Sequence, residues 1–157
     1  MGEKTIGTDE KAFITILTQR SYPHLRAVAD YYRHFADYTL QQALQTELSF
    51  NFAKATRSLL FYVIDPASFY AQRLQRALLG KWYRGSSTTV IIKVLAHRCR
   101  IDLKDIAYRY AELFKRSLVS DLRAHTRGNL RKLLLEIFQT DKNDPFIDAR
   151  QLGSRSF

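Results

Sequence analysis

Residues 7–17 read GTDEKAFITIL and residues 85–95 read GSSTTVIIKVL, and the two stretches match in residue type at every apolar position. They lie 78 positions apart, and the same offset aligns residues of matching type along the rest of the overlap. The further pairs are Arg20 with Arg98, Leu25 with Leu103, Tyr32 with Tyr110, Leu40 with Leu118, Leu44 with Leu122, Asn51 with Asn129 and Lys54 with Lys132. A self-match at one fixed offset is the signature of a repeated structural unit. The fold is therefore predicted to be a duplication.

Apolar residues recur in both copies at spacings of three and four, as in Phe13, Ile16 and Leu17. This spacing is typical of amphipathic helices, and the alternation expected of strands is absent. Pro66 is predicted to begin a helix that ends near Gly80 and has no counterpart in the first copy. We expect an all-α fold of about nine helices, divided as four in residues 1–64, five in residues 65–140 and a polar tail in residues 141–157.

The composition excludes several protein classes. Hydrophobic residues make up 46% of the chain and aromatic residues 13%, with six Gly and three Pro, which excludes disordered, collagen-like and turn-rich all-β proteins. The apolar run at residues 58–64 is far shorter than the roughly 20 residues that a membrane-spanning helix needs. Cys99 has no partner for an internal disulfide. The expected setting is therefore the reducing cytoplasm, with peripheral attachment to membranes.

The charge balance favours an anionic partner. The chain has 25 Lys and Arg against 15 Asp and Glu, a formal net charge of +10. The positive electrostatic field of the chain attracts lipid, nucleic acid and acidic protein alike. Charge alone therefore cannot decide between these three partners. An enzyme is not expected, because the sequence has no Walker loop, HExxH or GxSxG motif.

The same residues resemble a known family. Its repeat pattern is matched by Gly7-Thr8-Asp9-Glu10, Phe13-Ile14, Arg20-Ser21 and Glu47, and over roughly residues 2–140 the chain resembles the annexins. Residues 21–25, and Arg98 with residues 101–103, resemble the third and fourth annexin repeats in that order. The resemblance implies two annexin-type repeats in a right-handed superhelical arrangement, with the first helix of the third repeat missing.

The annexin resemblance also implies a calcium site in the first copy. Ca²⁺ takes six to eight hard oxygen ligands, and a glycine-rich turn exposes carbonyl oxygens that can face one ion. A single carboxylate gives weak affinity until a lipid phosphate fills the open positions, so calcium would bridge the protein to anionic phospholipid. The implied ligands are the carbonyls of Gly2, Thr5 and Gly7 with the carboxylate of Glu47, and Thr8 with Glu10 at a minor second site.

The second copy departs from the annexin pattern. The position equivalent to Glu47 is His125, and imidazole is a poor ligand for a hard cation, so no calcium site is expected there. Tryptophan and tyrosine favour the headgroup level of a membrane, and cations gain on the order of 1 kcal/mol each near an anionic surface. A calcium-independent membrane contact is therefore predicted at Lys81, Trp82, Tyr83 and Arg84, with His125 adding charge in acid.

Two other classes of function stay open at this stage. Nucleic-acid binding suits the charge and the interleaved aromatics, although no recognisable module supports it. A structural protein that joins other repeats is the second. Because the first copy lacks one helix, the helices of Phe13 and Phe52 are expected to leave an uncovered apolar face. Such a face predicts self-association or docking onto a missing N-terminal half.

Overall fold

The computed structural model describes residues 10–48, 50–80 and 86–139, and all regular structure within these ranges is α-helical. This confirms the predicted all-α fold of about nine helices. The helices are α1 (Glu10–Gln19), α2 (Tyr22–Phe35), α3 (Leu40–Glu47), α4 (Phe50–Ile64), α5 (Pro66–Leu78), α6 (Ser86–Arg98), α7 (Leu103–Phe114), α8 (Leu118–His125) and α9 (Gly128–Gln139).

The chain divides into two compact units, residues 1–66 (unit 1) and residues 67–157 (unit 2). The offset of 78 residues pairs α1 with α6, α2 with α7, α3 with α8 and α4 with α9. For α3 and α8 the first and last residues agree at this offset without any shift. Helix α5, which begins at Pro66, has no counterpart among the described residues of unit 1. The predicted tail, residues 141–157, lies outside the described residues.

Local capping explains where the paired helices α3 and α8 begin. The Oγ1 atom of Thr39 accepts a hydrogen bond from the backbone N–H of Gln42, whose side-chain oxygen accepts from the backbone N–H of Thr39. Ser117 caps α8 in a similar way, because its Oγ atom accepts from the backbone N–H of Ser120. Both caps satisfy amide groups that a helix N-terminus leaves without an intrahelical partner.

Unit 2 has a core to which all five of its helices contribute. Helix α5 supplies Ala71, Leu74, Ala77 and Leu78, and these residues are buried in one cluster with the apolar faces of the other helices. The largest fully buried side chains of this cluster are Leu74, Leu95, Ile106, Tyr110, Leu118, Leu122 and Leu134.

The core of unit 1 is smaller. Its buried cluster consists of Leu44, Leu48, Ala53 and Leu60, against which half-buried side chains of α1, α3 and α4 pack. The sequence pattern predicts that Val28 and Phe35 lie on the apolar face of α2, but both are exposed. Periodicity identifies the apolar face of a helix, whereas burial requires a second element to cover it. Across the described ranges, no helix is both long and apolar enough to cross a bilayer.

Candidate functional site

The residues that follow α3 in unit 1 and α8 in unit 2 have similar extended backbone conformations. Leu48, which follows α3, has φ −105° and ψ 153°, and its N–H donates to the carbonyl oxygen of Leu44. Thr126, which follows α8, has φ −119° and ψ 160°, and its N–H donates to the carbonyl oxygen of Leu122. The last helical residue is Glu47 in one junction and His125 in the other. Glu47 and His125 therefore occupy equivalent backbone positions.

Most of the implied calcium ligands fall outside the described residues. Gly2, Thr5, Gly7 and Thr8 are among them, and for Glu10 and Glu47 the backbone alone is described. Glu10 begins α1 and Glu47 ends α3. Within residues 10–48, 50–80 and 86–139 there is no group of three or more His, Cys, Asp or Glu side chains that could hold a metal. The implied donor set does not depend on such a group, because most of its oxygens are backbone carbonyls.

His125 is held by its own helix. Its Nδ1 atom lies 2.9 Å from the carbonyl oxygen of Asp121, and a carbonyl can only accept, so Nδ1 carries a hydrogen and donates. This leaves Nε2 as the nitrogen available to solvent in the neutral ring. A single imidazole nitrogen cannot replace the bidentate carboxylate that Ca²⁺ uses.

Asp121 is the acidic residue closest in sequence to the α8–α9 junction, and its carboxylate is already used. The Tyr110 hydroxyl donates to its Oδ2 atom over 2.6 Å, and an Nη2 atom of Arg116 lies 3.5 Å from the same oxygen. Asp121 and Tyr110 are both buried. Burial, followed by the hydrogen bond to Asp121, raises the pKa of Tyr110 above its ordinary value. The carboxylate of Asp121 is therefore engaged by contacts within unit 2.

The Tyr110→Phe substitution is expected to destabilise unit 2 by about 1.5–3 kcal/mol, because it removes a donor from a buried carboxylate. A raised tyrosine pKa means that the folded state holds the phenol proton more tightly than the unfolded chain. The stability from this group is therefore complete below about pH 10 and falls as the pH rises further. Thermal denaturation at about pH 8 and about pH 10.5 should show a smaller alkaline loss in the variant than in the parent.

The control for this substitution is Tyr38→Phe, which removes the hydroxyl of an exposed tyrosine in unit 1. Equal losses of stability in the two variants would contradict the importance of the buried carboxylate.

Arg131 places a positive charge on the α8–α9 junction. Its Nε atom donates to the carbonyl oxygen of Thr126 over 2.6 Å. In unit 1 the residue equivalent to Arg131 is Ala53 and the residue equivalent to Thr126 is Leu48. Position 53 therefore has no guanidinium that could donate to the carbonyl of Leu48. A cation bound at the α8–α9 junction would meet both the fixed charge of Arg131 and a carbonyl oxygen that is already hydrogen-bonded. These described contacts disfavour a calcium ion at the α8–α9 junction.

Three exposed cations flank the α8–α9 junction, and they are Arg123, Arg127 and Lys132. The sequence from residue 122 to residue 135 contains no Asp or Glu. Their unit 1 equivalents are Gln45, Ser49 and Lys54, so two of the three charges are particular to unit 2. The predicted membrane loop, Lys81, Trp82, Tyr83 and Arg84, lies outside the described residues, and of its predicted set only His125 is described, as an exposed residue.

The net charge is confined to one unit. Residues 1–66 contain seven Lys and Arg against seven Asp and Glu, whereas residues 67–139 contain 15 against five. The tail after residue 139 contains three of each, so residues 67–139 account for the whole net charge of +10. The total composition hides this asymmetry, and a separate count for each copy would have identified it. For the same reason, no membrane contact by Arg123, Arg127 and Lys132 was predicted from the sequence.

Comparison with known proteins agrees with the annexin resemblance of the sequence. The annexin family model matches residues 1–59 and 69–137. The chain is 35% identical over 137 residues to annexin A7 of Dictyostelium discoideum, covering 87% of this chain and 29% of that protein. It is also 35% identical over 141 residues to human annexin A13, covering 90% of this chain and 43% of that protein.

The fold agrees with a solved structure of the same group. The structure of annexin III superposes with a TM-score of 0.77 at 32% sequence identity, covering 87% of this chain and 41% of that one. The chain therefore spans less than half the length of the relatives named here.

Proposed function

The chain belongs to the annexin family, and from this premise we propose that it binds anionic phospholipid membranes through two chemically different surfaces. Unit 1 binds through a calcium ion that bridges protein and lipid phosphate. Unit 2 binds without calcium, through its positive charge. The observation that carries the proposal is the contrast between two equivalent helix ends. Helix α3 ends in Glu47, whereas helix α8 ends in His125.

For unit 1, the proposed calcium ligands are the carbonyls of Gly2, Thr5 and Gly7 and the carboxylate of Glu47, with Thr8 and Glu10 at a minor site. These are hard oxygen donors, which suits Ca²⁺. Glu47 is the last residue of α3, at the position that His125 occupies at the end of α8 in unit 2. When bound, the ion supplies positive charge and open coordination positions for lipid phosphate.

For unit 2, the proposed contact is electrostatic. Arg123, Arg127 and Lys132 are exposed in a segment without acidic residues, and Lys81 and Arg84 of the predicted membrane contact add two further positive charges. Each cation near an anionic leaflet contributes about 1 kcal/mol of binding free energy. Five cations are therefore expected to give measurable binding, whereas one or two are not. Trp82 and Tyr83 favour the headgroup level and would anchor the loop there.

The test uses the fluorescence of Trp82, which is the chain's single tryptophan. With phosphatidylserine vesicles in EDTA, we expect a blue shift of its emission, because the indole leaves bulk water. Phosphatidylcholine vesicles serve as the uncharged control and should give no shift.

Repeating the fluorescence measurement at about pH 7.5 and about pH 5.5 examines His125, since a protonated imidazole adds charge. A larger shift in acid is expected. A shift that is equal at both values would remove His125 from the proposal, and the absence of any shift would contradict the loop contact.

A further inference from the structure

Three exposed aromatic side chains lie at the end of α2 and in the turn that follows it. Tyr31 is 65% exposed and Phe35 is 73% exposed, and their ring centroids lie 4.7 Å apart. Tyr38 is also exposed and meets the ring of Tyr32 edge to face, with the centroids 6.1 Å apart. Clusters of exposed aromatic side chains are typical of protein interaction surfaces. This end of α2 is therefore a candidate docking surface.

The exposure of these three aromatic residues has no connection with helix α5. Their unit 2 equivalents, in the same order, are Arg109, Leu113 and Arg116. These equivalents are exposed as well, although α5 is packed into the core of unit 2. The surface therefore differs from the apolar face of Phe13 and Phe52.

The two equivalent segments have opposite charge. Residues 30–38 contain two Asp and one Arg, a net charge of −1 with histidine neutral, whereas residues 108–116 contain three Lys and Arg and one Glu, a net charge of +2. The exposed Asp37 corresponds to the exposed Lys115, so the sign of the charge is reversed at one position. We call the first surface the aromatic corner, formed by Tyr31, Phe35, Asp37 and Tyr38, and the second the basic corner, formed by Arg109, Leu113, Lys115 and Arg116.

We propose that the aromatic corner of one chain docks on the basic corner of a second copy of the same chain. Charge complementarity identifies this occupant, because each chain carries both halves of the contact. Asp37 of one copy pairs with Lys115 of the other, and Leu113 adds an apolar contact to the aromatic rings. The contact is heterologous, since it joins two different surfaces.

The guanidinium groups of the basic corner suit the aromatic rings. Guanidinium groups stack on the faces of tyrosine and phenylalanine. The chain already contains such a pair, because the guanidinium carbon of Arg98 lies 4.8 Å from the ring centroid of Tyr70. Arg109 and Arg116 each have a carboxylate neighbour within unit 2. Hydrogen bonding uses the edge of a guanidinium and stacking uses its face, so these ion pairs are compatible with the proposed contact.

The two corners lie away from the proposed membrane surfaces. Helices α3 and α8 have eight residues each, a length of about 12 Å. The aromatic corner precedes α3, which ends at Glu47, and the basic corner precedes α8, which ends at His125. Association between copies therefore uses neither calcium nor lipid, and a test without both is independent of the proposed membrane binding.

The test is sedimentation velocity of the intact 157-residue chain in EDTA, at about 0.05 M salt and at concentrations up to about 1 mM. The parent should show a mean mass that rises with concentration. Asp37→Lys and Lys115→Asp should each raise the dissociation constant at least about tenfold, because each places like charges opposite each other. Aspartate tolerates the left-handed backbone of residue 115, where φ is 54°.

Exchanging the two charges gives the sharpest comparison. A chain with both Asp37→Lys and Lys115→Asp keeps the net charge of the parent, +10, and again presents opposite charges across the contact. This double variant should associate as the parent does. An equimolar mixture of the two single variants should also associate, because the aromatic corner of each then meets an opposite charge on the basic corner of the other.

Further variants separate the contact from general charge effects. Lys93→Asp makes the same change of charge as Lys115→Asp at an exposed position of α6, and it should leave association unchanged. Tyr31→Ala combined with Phe35→Ala should weaken association at least about tenfold, because it removes the aromatic anchors. Circular dichroism of each variant confirms that the helices are retained.

The outcomes decide the proposal. Weaker association of both single variants, with recovery in the double variant and in the mixture, supports it. A parent that stays monomeric up to about 1 mM overturns it, as does weakening without recovery. Opposite effects of the two single variants would show that the net charge of the chain governs association. Association that no charge variant alters would place the contact on another surface, and both of these results also overturn the proposal.

Discussion

Replacing Glu47 with Gln should abolish the calcium-dependent part of binding to phosphatidylserine vesicles, or raise the calcium concentration needed for half-maximal binding by at least about tenfold. The substitution retains the size of the side chain and one carbonyl oxygen. It removes the only negative charge among the proposed ligands of the main site. Calcium affinity depends strongly on the number of charged ligands, and a site with one carboxylate has no other charge to compensate.

The matched control for Glu47→Gln is His125→Gln. Both substitutions place the same residue at equivalent ends of α3 and α8. The unit 2 variant should keep the calcium dependence of the parent, because Arg131 and its hydrogen bond to the Thr126 carbonyl disfavour calcium at the α8–α9 junction. Vesicle pelleting over a calcium titration measures both. Unchanged calcium dependence in Glu47→Gln would show that the assignment of the metal site is wrong.

Changing Arg123, Arg127 and Lys132 together to Gln should lower binding to phosphatidylserine vesicles in EDTA by about a hundredfold. Three cations at about 1 kcal/mol each give this factor, since about 1.4 kcal/mol corresponds to tenfold. The three side chains are exposed, so the substitution is expected to leave the fold intact. Calcium-dependent binding through unit 1 should be retained.

The control for the triple variant removes the same amount of charge from unit 1, by changing Lys11, Arg33 and Arg57 to Gln. All three are exposed. If the contact is local to unit 2, this control should lower binding in EDTA by less than about tenfold. An equal loss in both triple variants would mean that the net charge of the whole chain governs binding and that the α8–α9 junction has no special role.

Much of the fold follows from the sequence because the repeat and the helical period are properties of the chain itself. The offset of 78 residues places α3 on α8 residue for residue, and Pro66 begins α5 as proline at a first helical turn predicts. The contrast between Glu47 and His125 is equally visible in the sequence, since it needs only the alignment of the two copies.

The remaining features depend on tertiary structure. Two hydrogen bonds join residues on different helices or across a junction, namely Tyr110 to Asp121 and Arg131 to Thr126. The helical spacing of apolar residues predicts neither of them. The exposure of Ile16 and Val28 could not be derived from their apolar character either, because burial depends on which other elements pack against a residue. These contacts distinguish the two units more sharply than their sequences do.

The most direct test of the two-surface account is pelleting of the intact chain with phosphatidylserine vesicles, with calcium or with EDTA, at low salt and at about 0.5 M salt. Salt at this concentration screens contacts between exposed charges, whereas an ion coordinated by protein and lipid oxygens is less affected. We predict binding at low salt in EDTA, release at high salt in EDTA, and retention at high salt with calcium. A bound fraction that is the same with calcium as with EDTA at high salt would contradict the account.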